Sequence, residues 1–321
     1  MYKEYEFIIE RGKRKERLDL YLTRCIKGAS RSQIKRLIEE ENVSVNEKPA
    51  KPSHQVSSGE KIKVFYPLPV LPKALPENLP IEIIYQDEHL LLVNKPAGMI
   101  VHPSPDTFSG TLVNALLYHI KDLSGINGVL RPGIVHRLDK GTTGIVIVSK
   151  DDKTHRSLSY QFAARKIHKV YWALVWGRLR NKEEKIESYL KRGKKDIRKM
   201  VVDPEGKLSI THYKIIDEFS FLSLVEIKPL TGRTHQIRAQ FSGIGHPIFG
   251  DLLYGGRNKR LGNLNKSKHD FAVKLLGMIE RQALHARELG FFHPETGEFK
   301  TFTAPLPEDM QSLLDFLREN D

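Results

Sequence analysis

After a short apolar alternation from Tyr5 to Ile9, which predicts a leading strand, the N-terminal pattern turns helical. From Arg17 onward, Leu18, Tyr21, Leu22, Cys25 and Ile26 fall on one side of a helix. A second helix is predicted to begin at Ser30, because Ser30 and Gln33 have the spacing of a capping box and Ile34, Leu37 and Ile38 form an apolar stripe. Its opposite face carries Arg31, Lys35 and Arg36. The alternation Val43-Ser44-Val45-Asn46, a turn at Asn46-Glu47 and a second alternation, Ile62-Lys63-Val64, complete a small α/β unit over residues 1–66. Five prolines between Tyr66 and Pro80 then predict an extended linker over 67–80.

From residue 81 onward the apolar residues come in short β-branched or alternating blocks. Strands are predicted at Ile81 to Tyr85, Leu90 to Val93, Lys169 to Trp176, Ser209 to Ile216, Phe221 to Lys228, Ala283 to Phe292 and Phe299 to Phe302. Helical spacing marks Thr111 to Lys121, with Leu112, Ala115, Leu116 and Ile120 as its buried face, Asp152 to Arg165, and an amphipathic segment from Glu308 to Glu319. Two basic stretches interrupt this order. Residues 178–200 hold 10 Lys/Arg against 4 Asp/Glu and read as a solvated excursion or surface hairpin, open to contact with RNA phosphates. Residues 257–274 read as a second, Lys- and Asn-rich surface segment.

The chain is organised around Pro132 to Lys150. Two apolar runs, Ile134-Val135 and Ile145 to Val148, read as buried strands flanking a turn that presents His136, Arg137, Asp139 and Lys140. Polar residues crowded onto a loop held by a rigid scaffold commonly carry function. A carboxylate at Asp139 suits a nucleophile, a general base or a metal ligand, and equally a group that caps its own turn. A later stretch, Pro229 to Arg238, passes from strand through turn into helix. Free N–H groups at that helix start, beside two arginines, suggest an anion site.

Composition narrows the partner. A formal charge of +13 on 321 residues points to a polyanion, with nucleic acid first and a membrane surface second. Residues 1–66 carry 15 Lys/Arg against 10 Asp/Glu, so the N-terminal unit is basic without being a basic tail. No run approaches the roughly 20 apolar residues of a spanning helix, and the N-terminus shows no signal-peptide pattern, so a cytoplasmic protein is expected. Cys25 is the single cysteine, which excludes an internal disulfide and a cysteine zinc site, and it reads as core.

Five separated stretches together resemble one family. HRLDKGTTG at 136–144, KVYWALVWG at 169–177 and GRTHQIRAQFSGIGHPIFGDLLYGG at 232–256 are similar to the RluA-type pseudouridine synthases, and NKPAGMIVHPS at 94–104 and LHARELGFFHPETGEFKTFTAPLP at 284–307 extend the likeness. RPGIVHRLD combined with the N-terminal unit looks closest to the RluD-like large-subunit ribosomal RNA synthases. Gly141 and Thr143 depart from the usual HRLDKDTSG, with Asp139 itself in place. The N-terminal unit resembles the small RNA-binding module of a ribosomal small-subunit protein, whose members usually carry Gly where this chain has Glu41 or Asn42, and Asn-Gly where it has Asn46-Glu47.

The resemblance implies isomerisation of uridine within RNA, without cofactor or metal. Ribosomal RNA in a large-subunit precursor is the expected substrate, with transfer RNA as the other possibility and a monomer as the expected state. It implies that Asp139 is the essential catalyst, that Arg238 pairs with it, that Tyr171 stacks on the target base, and that Arg137 fills the space the flipped base vacates. Arg31, Lys35 and Arg36 would contact RNA. The expected fold is α+β: a catalytic domain over 81–321 built on a mixed, largely antiparallel sheet with a central cleft, plus the small N-terminal α/β RNA-binding module. His136, His235 and His246 read as structural histidines. Two other readings stand beside this one. A metal-dependent nuclease or phosphoesterase would use His136, Asp139, His235 and Asp251, and a non-catalytic ribosome-assembly factor would bind RNA through residues 17–66.

Overall fold

The computed structural model describes residues 2–10, 12, 15–26, 29–67, 74–104, 107–121, 123–126 and 132–321. The chain divides into two units, Met1–Pro72 and Lys73–Asp321. Among the described residues no helix is long and apolar enough to cross a membrane.

The first unit contains β1 (Tyr2–Ile8), α1 (Leu18–Cys25), α2 (Arg31–Glu39), β2 (Val43–Val45), β3 (Lys48–Pro49) and β4 (Lys61–Pro67). Its four strands lie in the order β1-β4-β2-β3, all antiparallel. The strand expected from Tyr5 begins earlier, because Lys3 and Glu4 pair with Tyr66 and Phe65 and the ladder extends past the apolar run. Positions 11, 13 and 14 of the basic run lie outside the described residues. The capping box forms as spaced: Gln33 N donates to Ser30 Oγ at 3.3 Å, and Ser30 N donates to Gln33 Oε1 at 2.8 Å. Leu18, Leu22, Ile34, Leu37, Ile38, Ile62 and Val64 bury the two helices on the sheet, and Cys25 packs at the margin of this core. α2 stops in a left-handed residue, Glu41 (φ 58°), whose neighbours close a Schellman pattern with Asn42 N on Leu37 O at 2.9 Å.

The second unit holds β5 (Glu82–Gln86), β6 (Leu90–Lys95), α3 (Leu112–His119), β7 (Thr143–Ser149), α4 (Asp152–Ala163), β8 (His168–Trp176), β9 (Glu183–Arg192), β10 (Met200–Val202), β11 (Lys207–Glu218), β12 (Leu222–Pro229), α5 (Gln236–Gly243), α6 (Lys266–Met278), β13 (Leu284–Phe292), β14 (Phe299–Thr303) and α7 (Glu308–Asn320). The sheet runs β10-β9-β11-β12-β8-β13-β7-β6-β5, with β14 on β13. It is an α+β fold with a mixed, mostly antiparallel sheet. Among the described strands the one parallel pairing, β13 with β7, spans two residue pairs, His285 with Thr143 and Ala286 with Gly144. Two antiparallel blocks therefore meet at a short seam. At that seam Gly144 (φ 109°) is required, since a Cβ there would collide with the Ala286 backbone.

Helices cover both faces, which explains why Leu90 to Val93 and Ile145 to Val148 are continuously apolar. On one face α3 packs on Leu91, Val93, Val146 and Val148, while α5 packs on Ala173, Val175, Val225 and Ile227. Tyr171 touches both groups. The opposite face takes Leu158 of α4 against Leu90, Leu92, Ile145 and Ile147, and takes α6 and α7 against Leu174, Trp176, Leu222 and Leu224.

Several expectations change. Ile134-Val135 is not a strand: a single bridge joins Ile134 to Val148, beyond the two residues of β7 that pair with β13. The basic stretch 178–200 is no detached excursion, since β9 pairs with β11 from Lys214–Glu183 to Lys207–Leu190 and buries Ile186 and Leu190. The segment 257–274 begins as a 3-10 turn at Asn258–Asn263 and then enters α6, whose Ala272, Leu275 and Leu276 are buried under a surface rich in lysine. Within the stretch expected as a linker, residues 68–73 lie outside the described residues. Residues 74–80 are held by the second unit: Ala74 is buried, Glu77 N donates to Asn114 O at 2.9 Å, and Asn114 Nδ2 donates to Leu75 O at 2.7 Å.

Candidate active site

The loop before β7 is anchored from several sides. Leu138 is buried in the α3 core, and Thr142 N donates to Asp139 O at 3.0 Å, closing a tight turn. Gln282 Nε2 reaches Thr142 Oγ1 at 3.1 Å, and Arg281 Nη1 reaches Gly141 O at 3.1 Å. Gly98 N donates to Lys140 O at 2.9 Å. Arg131, the first residue of RPGIVHRLD, lies outside the described residues.

Held in this way, Asp139 turns Oδ2 toward Arg238 Nη1 at 3.0 Å, with its side chain 20% exposed. Arg238 comes from α5 and is itself fixed by a second carboxylate. Its Nε donates to Asp251 Oδ2 at 2.6 Å and its Nη2 to Asp251 Oδ1 at 3.0 Å. This two-pronged grip aims the remaining guanidinium edge at Asp139. Burial works against the charge on Arg238, but the bonds and charges of Asp251 and Asp139 outweigh it and hold the guanidinium above its usual range. Oδ1 of Asp139 has no partner among the described residues.

Tyr254 and His235 close the other side. Tyr254 N donates to Asp251 Oδ1 at 3.1 Å, and its ring lies 5.0 Å from the Arg238 guanidinium. Its hydroxyl accepts from Met200 N at 2.8 Å and lies 3.0 Å from His235 Nδ1. Burial pushes the Tyr254 phenol up to about 12, so the hydroxyl keeps its proton and can donate it to Nδ1. That network assigns the His235 proton to Nε2, which faces Asp139 Oδ2 at 3.7 Å. Burial also lowers the His235 pKa, against the opposing pull of Asp139. His235 holds a left-handed backbone, φ 51°, at the entry to α5.

Tyr171 projects from β8 into the same cleft, a cavity of about 160 Å3 lined also by Arg137, Asp139, Lys169, Arg233 and His235. Burial, reinforced by the charge of Asp139, keeps its phenol protonated. Asp139, Arg238, Tyr171 and Arg137 are thus brought together. Arg31, Lys35 and Arg36 lie on α2 of the first unit, each beside a carboxylate: Arg31 with Asp19 at 3.0 Å, Lys35 with Glu39 at 3.6 Å and Arg36 with Glu40 at 3.4 Å.

The anion site expected at the start of α5 does not form as drawn. Arg238 is taken by two carboxylates, and two N–H groups of the turn are used locally, Arg233 N by Gln236 Oε1 at 3.0 Å and Gln236 N by Arg233 O at 3.1 Å, so of the two arginines Arg233 is the one left exposed. His136 is structural: Nε2 accepts from Ile147 N at 3.0 Å, the ring stacks on Phe162, and burial with help from Lys169 pulls it down to about 3. His246 Nδ1 meets Trp176 O at 2.8 Å. Among the described residues no group of three or more His, Cys, Asp or Glu could hold a metal.

Sequence reasoning passed over three participants. Asp251 was weighed only as a metal ligand, and Tyr254 carried no signal of its own. Lys95 is fully buried, donating to Pro96 O and Met99 O at 2.8 Å, and burial with Arg281 nearby pulls it down to about 7. A lysine ending an apolar strand, within the stretch NKPAGMIVHPS, is its trace in the sequence.

Such a site offers an oriented carboxylate with one free oxygen, beside a neutral phenol and inside a basic rim. Residues 89–243 match the model of the RNA pseudouridylate synthase family, and residues 16–62 match that of the S4 domain. An uncharacterized RNA pseudouridine synthase of Bacillus subtilis, YlyB, is 41% identical over 95% of each chain. The ribosomal large subunit pseudouridine synthase D of Zymomonas mobilis is 42% identical over 94% of this chain and 93% of its own. Among solved structures, human RNA pseudouridylate synthase domain containing 1 superposes with a TM-score of 0.55 at 25% identity, covering 75% of this chain and 96% of that one.

Proposed function

Because the chain belongs to the RNA pseudouridylate synthase family, we propose that it isomerises uridines of large-subunit ribosomal RNA, with Asp139 as the catalytic carboxylate. The enzyme is an RNA pseudouridine synthase, an isomerase. The substrate follows from relatives named ribosomal large subunit pseudouridine synthase D in Zymomonas mobilis and Neisseria meningitidis. In this reading residues 1–66 dock on RNA, residues 81–321 carry the chemistry, and the protein works in the cytoplasm as a monomer on precursor large-subunit RNA.

The observation that carries the assignment is the chain Asp139–Arg238–Asp251. Asp251 locks the guanidinium, and the guanidinium holds one oxygen of Asp139 while the other faces the cleft. The free oxygen either attacks C1′ of the target ribose or removes its 2′ proton. In both routes the C1′–N1 bond breaks, the uracil turns over, and C5 joins C1′ as the bond from Asp139 to C1′ breaks or as Asp139 returns the 2′ proton. Tyr171 stacks on the base, and once the new bond exists the C5 proton passes to solvent. Arg137 enters the space left in the RNA when the uridine is flipped.

A tritium-release assay on RNA labelled at C5 of uracil tests the reading. Wild-type release that survives a chelator and disappears in Asp139→Asn supports it. Metal-dependent strand cleavage would support the nuclease instead, and a cellular role untouched by Asp139→Ala would support an assembly factor. RNA affinity should fall steeply with salt, as phosphate neutralisation releases counterions.

A further inference from the structure

Arg238 has both edges of its guanidinium taken by carboxylates, and Arg137 and Arg233 are exposed to solvent. One more cation lines the cleft. Lys169 belongs to β8, where side chains alternate, so it shares a face with Tyr171 two residues on, roughly 7 Å away along the strand. It is half-buried, and among the described residues its ammonium has no hydrogen bond and no ion pair. The charged group that acts on it is Arg165, of like sign; its other titratable neighbour, His136, is neutral. Burial and Arg165 together pull the Lys169 ammonium below the usual lysine range. An uncompensated, half-dry cation is costly unless something bound supplies the opposite charge.

The reaction supplies such a charge. When the C1′–N1 bond breaks, both electrons stay with the base, and the uracil is an anion delocalised over N1 and its carbonyl oxygens. It returns to neutrality when C5 bonds to C1′, C5 gives up its proton and N1 takes one up, so the product is an isomer of the substrate. We propose that Lys169 is a further catalytic residue, placed on the Tyr171 face of β8 to hold the detached uracil anion through its carbonyl oxygens. This rests on the synthase reading above. A lysine suits the task as a point charge with rotatable donors, able to follow the base as it turns between N1 and C5 bonding, which a fixed guanidinium fork would not. A half-buried position strengthens the attraction relative to the exposed Arg137 and Arg233.

The test compares wild type, Lys169→Met and Lys169→Arg in single-turnover reactions with an RNA carrying the target as uridine or as 5-fluorouridine. Loss of the target nucleoside is read by chromatography of nuclease digests, and RNA affinity is measured separately. Fluorine makes the detached base a weaker base, which needs less help from a cation. Lys169→Met should slow the uridine reaction by about 10² to 10³-fold with affinity within about twofold, and Lys169→Arg should recover part of the rate. With 5-fluorouridine the penalty of Lys169→Met should shrink at least about tenfold, an effect that a merely structural lysine would not produce. Equal penalties on the two RNAs, an unchanged rate, or weaker affinity at an unchanged rate, as for a phosphate contact, would overturn the proposal. Should Lys169→Met fail to melt like wild type, Lys169→Gln is read in the same way. If wild type converts neither RNA, the synthase reading fails first, and the two failures are thereby separated.

Discussion

The chain contains Arg-Leu-Asp twice, at 17–19 and at 137–139. In each copy the leucine is buried and the aspartate meets an arginine from a later helix at 3.0 Å, Arg31 for Asp19 and Arg238 for Asp139. The surroundings differ in how completely the carboxylate is used. Asp19 is 2% exposed; Oδ1 accepts from Arg17 Nε and Leu20 N at 3.0 Å, and Oδ2 accepts from Arg17 and Arg31. Asp139 has one oxygen held, by an arginine already committed to Asp251, and Arg137 leaves its own aspartate alone to face the cleft. A saturated carboxylate ties two elements together, whereas an unsaturated one at a cleft is available for chemistry. The same three residues therefore make a structural clamp in one unit and, in the proposed function, a catalytic group in the other.

Swapping the charge out of each copy separates the roles most sharply. Asp139→Asn should lower the single-turnover rate by about 10³-fold or more while leaving the melting transition where it is. Asp19→Asn should do the reverse. It leaves the half-exposed Arg17 and Arg31 facing a neutral amide and should cost the first unit about 1 to 2 kcal/mol, read as faster hydrogen exchange across residues 15–66 of the full chain. Chemistry on bound RNA should persist. If Asp19→Asn stopped the chemistry or Asp139→Asn melted the chain, the contrast would collapse.

Acid should sharpen the same contrast. The hydrogen bonds and charge of Arg17, then those of Arg31, hold the Asp19 carboxyl below the usual carboxylate range in spite of its burial. Its folded pKa lies below the unfolded value near 3.9, so its contribution is complete above roughly pH 5 and is lost as pH falls through the folded value. Exchange protection of the first unit in wild type should thus decline below about pH 4. Most of that decline should be missing in Asp19→Asn.

Asp251→Asn tests whether the catalytic copy depends on its anchor. With one prong of the grip removed, Arg238 is free to turn toward Asp139 and occupy the oxygen that must react. A loss of about 10²-fold in rate is expected from misplacement alone, with RNA affinity unchanged. Asp251→Glu, which keeps the charge but shifts it, should lie between wild type and Asn. A rate equal to wild type in Asp251→Asn would mean that Asp139 is aimed by its own loop.

These anchors mark the limit of what the linear pattern discloses. Helix stripes, the Ser30–Gln33 box and the β-branched runs are local, so α1, α2, α3 and most strands were legible residue by residue. Ile134-Val135 has the composition of a strand yet forms one bridge, and beside it Ile147 N on the same edge of β7 donates to the His136 side chain rather than to a strand backbone. β9 reads from the sequence only as part of an excursion or surface hairpin, since six of its ten residues are charged, and pairing with β11 on one side and β10 on the other holds it as much as the burial of Ile186 and Leu190. The likeness to a known family pointed to Asp139, Tyr171 and Arg238 together. Asp251, Tyr254 and Lys169 become informative only when folding shows which partner each has and which it lacks.

Both units place non-glycine residues in left-handed backbone. The second unit has Arg165 (φ 58°) and His235 (φ 51°), and the first sets Glu41 (φ 58°), Asn46 (φ 48°) and Glu47 (φ 63°) there. Asn46 tolerates this, since Oδ1 accepts from Lys61 N at 2.9 Å and secures the turn. Glu47, exposed and without any such bond, carries the full clash of its Cβ, roughly 1 to 2 kcal/mol. Glycine would remove that clash but add about 0.5 to 1 kcal/mol of unfolded-chain entropy. Glu47→Gly should therefore stabilise the first unit by about 0.5 kcal/mol, seen as slower exchange in β2, β3 and β4, with the catalytic rate unaltered. Glu41→Gly, at the end of α2, should gain a similar amount and the two should add, since they relieve separate turns. A destabilised Glu47→Gly would mean that the turn is held by contacts of the glutamate rather than strained by its backbone, and that the first unit, like the second, retains a non-glycine residue at positive φ for what its side chain does.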